Sequence, residues 1–78
     1  MTKKYNYVLE IMRPAWNGNP MCPKIKVRVH KGTFEENREN LSPNMVDAQQ
    51  ITTFNMTCAK ARASEYFSEY RRFLAHTT

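Results

Sequence analysis

The side chains that most often carry out chemistry are few in this sequence of 78 residues, and they do not cluster. Its cysteines and histidines are Cys22, His30, Cys58 and His76. Zinc sites usually draw ligands from closely spaced pairs, and a cysteine nucleophile needs a base beside it in the fold. Because these four residues lie far apart on three different elements without such pairing, we expect no metal site and no nucleophilic cysteine.

Nucleotide hydrolysis and acid–base catalysis are also unsupported. A phosphate-binding loop needs several glycines so that its backbone can approach the anion, and the sequence has only Gly18 and Gly32. Glu35, Glu36 and Glu39 lie in a polar stretch, where glutamates are far more often solvated charges than catalytic groups. We therefore predict that the chain is not an enzyme and needs no cofactor.

A row of alternating cations is the most informative pattern. Between residues 24 and 31 the apolar residues Ile25, Val27 and Val29 alternate with four basic ones, Lys24, Lys26, Arg28 and His30. Alternate side chains of a strand project from one face about 6.6–6.8 Å apart, so the basic residues form a positive row. This row is either a partner-binding surface or a solvated strand face, with Glu10 pairing across to it and lysines guarding an edge against aggregation.

The lone tryptophan, Trp16, lies in residues 14–23, where three prolines and an Asn-Gly pair indicate a loop. Tryptophan is frequent among the residues that dominate protein–protein binding energies, which makes Trp16 a candidate binding anchor. The alternative is that its ring folds back over the core of a small domain. The sequence leaves both roles open.

Two strands are predicted in the first half of the chain. Residues 5–12 alternate with a period of two, and their odd-numbered side chains, Tyr5, Tyr7, Leu9 and Ile11, are assigned to the core. The even-numbered face is mixed, so part of it is expected to be covered. Residues 24–31 alternate strictly and are expected to pair with the first strand as a hairpin, leaving an open face that is basic without being aromatic.

The middle of the chain has weaker patterns. Residues 33–47 are polar and show no lasting periodicity, which indicates a long loop of a kind that is often functional. Within it Ser42-Pro43 resembles a helix cap followed by proline, which allows one or two helical turns through Met45 and Val46. Residues 50–55 then supply a short third strand, since they combine β-branched residues with one aromatic.

The last third of the sequence predicts a long amphipathic helix. Its small and apolar residues recur at helical spacing and form one stripe of Ala59, Ala63, Tyr66, Phe67, Tyr70, Phe73 and Leu74. Thr57 is placed to cap the start of this helix by accepting a hydrogen bond from a free backbone amide. On the opposite surface, Arg62 and Glu65 can form an ion pair.

Together these segments predict one α+β domain over residues 1–78, a small antiparallel sheet of about three strands packed against one long C-terminal helix. Two cysteines are too few for a secreted disulfide framework, which favours the cytoplasm. No apolar stretch of signal-peptide length follows Met1, and none approaches the roughly 20 residues that span a bilayer. Twelve Lys and Arg against seven Asp and Glu give a net charge of +5, which favours anionic partners.

The segments K-I-K-V-R-V, at residues 24–29, and T-T-F-N-M-T-C-A-K-A-R-A-S-E-Y-F-S-E-Y, at residues 52–70, give the chain a resemblance to small bacteriophage proteins that inhibit host machinery, the type I anti-CRISPR proteins. The resemblance covers residues 24–74 and lies in architecture, so it assigns no functional residue. It implies a compact stoichiometric blocker in the host cytoplasm. The positive net charge excludes the acidic mode of DNA-mimicking inhibitors.

We therefore expect a protein that blocks or modulates a larger protein or ribonucleoprotein complex by binding it. The residues expected to contact this partner are Lys24, Lys26, Arg28, His30 and Trp16. The alternative is a basic accessory protein that contacts the phosphate backbone of nucleic acid with the same row. A third expectation is an assembly subunit that pairs through a sheet edge, and the sequence leaves the oligomeric state open.

Overall fold

The computed structural model describes residues 3–13 and 25–77 as one antiparallel sheet with one helix. The elements are β1 (Tyr5–Met12), β2 (Lys26–Lys31), β3 (Met45–Thr53) and α1 (Met56–Thr77). β1 is the central strand and pairs antiparallel with β2 on one side and β3 on the other. The predicted α+β class, antiparallel sheet and long C-terminal helix are confirmed. In this described part of the chain, no helix is both long and apolar enough to cross a membrane.

β1 provides the core because both of its faces are covered. Tyr7, Leu9 and Ile11 lie on the face toward α1 and are at most 3% exposed. On the opposite face Val8 and Glu10 are fully buried as well, as expected for a mixed face that is partly covered. The prediction was wrong for Tyr5, which is 49% exposed where the strand begins.

Residues 33–44 cover the face of the sheet that lies opposite α1, and they do so as hydrogen-bonded turns. Asn37 is 4% exposed, and its Nδ2 donates to the carbonyl oxygens of Lys31, at 2.7 Å, and Thr33, at 3.0 Å. The amide of Phe34 donates to Gln50 Oε1 across the sheet at 2.9 Å. The face that was predicted to be open is therefore partly closed by the protein itself.

β3 is longer than predicted and begins where helical turns were expected. The Ser42 carbonyl accepts a hydrogen bond from Met45 N at 3.1 Å, which makes a turn, and the chain then pairs with β1 from Met45 onward. A register shift beside Met12 lets Val46 bulge out of the ladder. The expected helical turns at Met45 and Val46 are wrong because pairing with the central strand satisfies more backbone groups than an isolated turn would.

Gly32 ends β2 in a conformation that other residues rarely adopt. Its φ is +105°, and an added Cβ would lie 3.2 Å from side-chain atoms of Asn37 and Glu36. We expect Gly32→Ala to lower the free energy of unfolding by about 1–3 kcal/mol, through backbone strain at the point where β2 enters the covering turns. Urea unfolding monitored by circular dichroism measures the change. An unaltered midpoint would contradict the strained geometry.

The residue that caps the start of α1 is not the one predicted from the sequence. Asn55 Oδ1 accepts a hydrogen bond from Cys58 N at 2.9 Å, so Asn55 caps the helix and the role predicted for Thr57 is wrong. The predicted pair between Arg62 and Glu65 is present at 3.0 Å. It lies on the exposed surface, where an ion pair adds little stability.

The apolar stripe of α1 is buried only where the helix crosses the sheet. Ala59 and Ala63 are at most 2% exposed, whereas Phe73 near the other end is 59% exposed. A helix of 22 residues is about 33 Å long, and the six residues of β2 reach only about 20 Å. The helix is therefore longer than the strand that it covers.

A hydrogen bond between Tyr66 and Asp47 joins α1 to β3. The phenol donates to Asp47 Oδ2 at 2.6 Å. Burial raises the pKa of Tyr66 well above its ordinary value, and the hydrogen bond to Asp47 and its negative charge raise it further. The protonated phenol is therefore the form that stabilises the fold.

We expect Tyr66→Phe to lower the free energy of unfolding by about 1 kcal/mol at neutral pH, because the hydrogen bond is lost. Because the pKa of Tyr66 is raised in the folded state, its contribution to the free energy of unfolding is fully present below the pKa of tyrosine in the unfolded chain, about 10. This contribution is lost as the pH rises above that value. The difference in free energy of unfolding between wild type and Tyr66→Phe should thus stay constant up to about pH 9 and shrink above about pH 10. Chemical unfolding across this pH range measures it, and a difference that grows with pH would contradict the assignment.

Candidate partner-binding surface

The outer side of β2 has no neighbouring strand in the described part of the chain. Gly32 N donates to the Asn6 carbonyl at 2.7 Å, which fixes the alternation of the ladder with β1. In an antiparallel ladder, the residues between the hydrogen-bonded positions direct their backbone groups to the opposite side. The N–H and C=O groups of Val27 and Val29 therefore point away from the sheet.

The far end of this edge is closed. Lys31 also directs its carbonyl outward, but that oxygen accepts the hydrogen bond from Asn37 Nδ2 at 2.7 Å. The covering turns of residues 33–44 thus block further pairing beyond Lys31. The accessible edge is a short segment centred on Val27 and Val29.

An open groove lies between this edge and α1, with a volume of about 530 Å³. Most of its lining is apolar or small and comes from Val27, Val29, Met56, Ala63, Ser64 and Phe67. Two cations, Arg28 from β2 and Lys60 from α1, also line it. A concave site with an apolar lining and a few charged groups is typical of a binding surface.

The cations of the β2 edge and of the groove carry uncompensated charge. Lys26, Arg28 and Lys60 are exposed. Among residues 3–13 and 25–77, the carboxylates paired with a basic side chain are Glu10, with His30, and Glu65, with Arg62, so none pairs with these three cations. A local excess of positive charge attracts anionic groups and speeds their encounter.

His30 does not belong to this exposed set, although it was predicted to. Its side chain is 12% exposed, and its Nε2 lies 2.8 Å from Glu10 Oε1. The other carboxylate oxygen of Glu10 accepts the amide of Ser42 at 2.5 Å. Because Glu10 is fully buried, His30 is held inside the fold as one of its partners. The pairing with Glu10 that was considered as an alternative for the basic row is therefore present, at His30.

The predicted partner-binding residues thus separate into three groups. Lys26 and Arg28 lie exposed on the edge strand β2, and Arg28 also lines the groove. His30 is bound to Glu10. Lys24 and Trp16 lie outside the described residues.

A second exposed cluster lies at the other end of the sheet, where α1 begins. Tyr5 and Phe54 are 49% and 44% exposed. Lys3 Nζ lies 5.7 Å from the centre of the Tyr5 ring, and Lys4 Nζ lies 5.3 Å from that of Phe54. Sequence reasoning missed this cluster because alternation placed Tyr5 in the core and Phe54 in a strand. The two lysines that precede Tyr5 were the available signal.

Within residues 3–13 and 25–77, no three His, Cys, Asp or Glu side chains are grouped so that they could hold a metal ion. In comparisons with known proteins, no family model, no curated protein and no solved structure matches the chain.

Proposed function

We propose that this chain is a small binding protein that blocks or modulates a larger protein or ribonucleoprotein complex by occupying one of its surfaces stoichiometrically. The observation that carries the proposal is the edge of β2, where exposed Lys26 and Arg28 have no ion-pair partner within the described residues and where an apolar groove, which Arg28 lines, runs beside the strand. The resemblance to anti-CRISPR proteins supports the same proposal, and it implies that the protein acts in the cytoplasm of a host.

Energetics favour a role for these residues in binding rather than in stability. Free cations on a protein surface contribute little to folding, and like charges on one strand weaken it slightly. At an interface the same charges speed encounter with an anionic surface and fix the orientation of the complex. The apolar groove beside them supplies area whose burial strengthens the complex.

Affinity capture from a host lysate tests the proposal, with the tagged chain as bait and with each lysate split into nuclease-treated and untreated halves. We expect a defined protein or complex to be retained after nuclease treatment and to saturate at one chain per binding site. A matched bait carries Arg38→Glu and Arg72→Glu, which reverse two other exposed cations. Equal capture by this bait is expected, and recovery of nucleic acid alone would overturn the proposal.

A second candidate function, binding of single-stranded nucleic acid, is favoured by the cluster of Lys3, Lys4, Tyr5 and Phe54. Exposed aromatic rings beside lysines provide stacking surfaces for bases together with charges for phosphates. None of the side chains of this cluster lines the groove. The two functions therefore depend on different side chains.

Fluorescence anisotropy with a labelled oligonucleotide separates the two candidates. If nucleic acid is the partner, Tyr5→Ala and Phe54→Ala should each weaken binding by about 1–3 kcal/mol, and affinity should fall steeply with salt. Lys26→Glu with Arg28→Glu should then have a smaller effect than the aromatic changes. Absence of measurable binding at low salt would exclude this candidate.

A further inference from the structure

We infer that β2 accepts an extended acidic segment of the partner as a fourth strand, with the segment's alternate apolar side chains in the groove beside α1. The inference rests on the proposed function and deepens it, because it names the kind of partner segment and the way it is held.

The backbone of β2 offers the hydrogen bonds. The N–H and C=O groups of Val27 and Val29 point outward, and within the described residues no strand pairs with them. An incoming strand can satisfy these groups while it satisfies its own, which gives affinity that does not depend on side chains. The side chain of Asn37 already donates a hydrogen bond to the Lys31 carbonyl, so the added strand can pair with only a few residues of β2.

The groove receives the side chains. Side chains of a strand alternate between faces, so every second residue of an added strand would lie on the side of Val27 and Val29, toward α1. There the helix presents Ala63 and Phe67. The open groove of about 530 Å³ leaves room for apolar side chains between strand and helix.

The positive charges on and near β2 favour an acidic partner segment. The six residues of β2 include Lys26, Arg28 and Lys31 and contain no carboxylate. Lys60 adds a further cation from α1 on the other side of the groove. The nearest carboxylate opposite β2 in the sheet, Glu10, is buried and already bound by His30 and the amide of Ser42. Lys26 and Arg28 lie on the face of β2 away from α1, so the acidic side chains at the alternate positions of the incoming strand would meet these two unpaired cations.

The same charges disfavour a second copy of this chain as the added strand. Two β2 strands paired antiparallel would bring Lys26, Arg28 and Lys31 of one chain beside those of the other. Like charges placed opposite each other on neighbouring strands are destabilising. An acidic segment from a different protein removes this repulsion.

The other edge of the sheet is less suitable. β3 is interrupted by the bulge at Val46. A groove of about 460 Å³ also lies between β3 and α1, but its lining includes two carboxylates, Asp47 and Glu69, which would repel an acidic segment. β2 is therefore the edge whose adjacent groove suits an acidic segment.

Peptide binding tests the inference with a defined probe, a fluorescein-labelled peptide of sequence Gly-Asp-Val-Glu-Val-Asp-Val-Gly. We expect anisotropy titration to show saturable binding. Three control peptides accompany it: one with lysine in place of each acid, one with a scrambled order, and one with N-methyl groups on alternate backbone amides. Methylation should weaken binding at least tenfold because it removes the strand's hydrogen-bond donors, and the lysine peptide should not bind.

A charge exchange provides the matched test on the protein. Lys26→Glu with Arg28→Glu should weaken binding of the acidic peptide at least tenfold and allow binding of the lysine peptide. Lys26→Gln with Arg28→Gln is the neutral version. It should weaken binding of the acidic peptide without allowing the lysine peptide to bind, and it remains informative if the reversed variant does not fold. Arg38→Glu with Arg72→Glu should leave both affinities unchanged.

Failure of this inference is distinguishable from failure of the proposed function. If the peptides do not bind, or if N-methylation has no effect, strand addition is excluded, whereas capture of a larger partner that depends on Lys26 and Arg28 would still support the proposed function. If no partner is captured, the proposed function fails regardless of the result of the peptide titrations.

Discussion

Replacing Glu10 with alanine should remove a large part of the stability of this domain. Glu10 is fully buried, and its two carboxylate oxygens hold His30 Nε2 at 2.8 Å and the amide of Ser42 at 2.5 Å. Removing the carboxylate leaves both partners unsatisfied inside the protein and releases the covering turns from the sheet. Breaking a buried polar pair of this kind costs about 3–5 kcal/mol.

A loss of this size is large for so small a protein. A domain of 78 residues has a total stability of roughly 4–12 kcal/mol. We expect Glu10→Ala to lower the Tm by at least about 12 °C in a thermal melt monitored by circular dichroism. Glu10→Gln keeps the shape and one acceptor oxygen, so it should be destabilised less than Glu10→Ala.

Glu65→Ala is the control for removal of a carboxylate. Glu65 pairs with Arg62 on the exposed surface of α1, with a side chain that is 63% exposed. Its loss should change stability by no more than about 0.5 kcal/mol. Similar melting curves for Glu10→Ala and Glu65→Ala would contradict the structural role assigned to Glu10.

Reversing Lys26 and Arg28 together should weaken binding of the captured partner at least about 100-fold, which corresponds to about 2.7 kcal/mol. The two residues are exposed and have no ion-pair partner within the described part of the chain. Glutamates at these positions replace attraction by repulsion toward an anionic surface, and such like-charge contacts cost several kcal/mol. Surface plasmon resonance with the purified partner measures the change.

The kinetics of the same experiment identify how the charges act. Charges at the rim of an interface mainly change the association rate and its dependence on salt, and buried charge pairs mainly change dissociation. We expect a slower association rate for Lys26→Glu with Arg28→Glu and an unchanged one for Arg38→Glu with Arg72→Glu. Unaltered affinity of the first variant would remove the edge of β2 from the interface.

The elements predicted correctly are those in which apolar residues recur at a regular spacing along the sequence. The alternation in residues 5–12 and the helical spacing from Ala59 to Leu74 each reflect burial against one neighbouring layer. β3 was predicted too short because its first half, Met45–Gln49, has no alternation and is held by pairing with the central strand. Tyr5 follows the alternation but lies at a strand end, where the core no longer covers it.

The candidate site was harder to predict because its decisive contacts are not local. The basic row shows four similar positions in the sequence, and among the three that the structure describes, the fold separates His30 from Lys26 and Arg28. His30 contacts the buried carboxylate of Glu10 on the neighbouring strand, and the amide of Ser42 in the covering turns donates to the same carboxylate. His30 is therefore not available to a partner. Lys26 and Arg28 stay exposed because the covering turns of residues 33–44 join β2 at its opposite end. Only the three-dimensional arrangement distinguishes a buried partner of a carboxylate from a free cation.

Amide hydrogen exchange of the free chain and of its complex with the captured partner is the most direct test of a binding surface at the edge of β2. The amides of Val27 and Val29 point away from β1, so they should exchange rapidly in the free chain and slow markedly in the complex. Slowed exchange confined to other elements, with Val27 and Val29 unchanged, would contradict it.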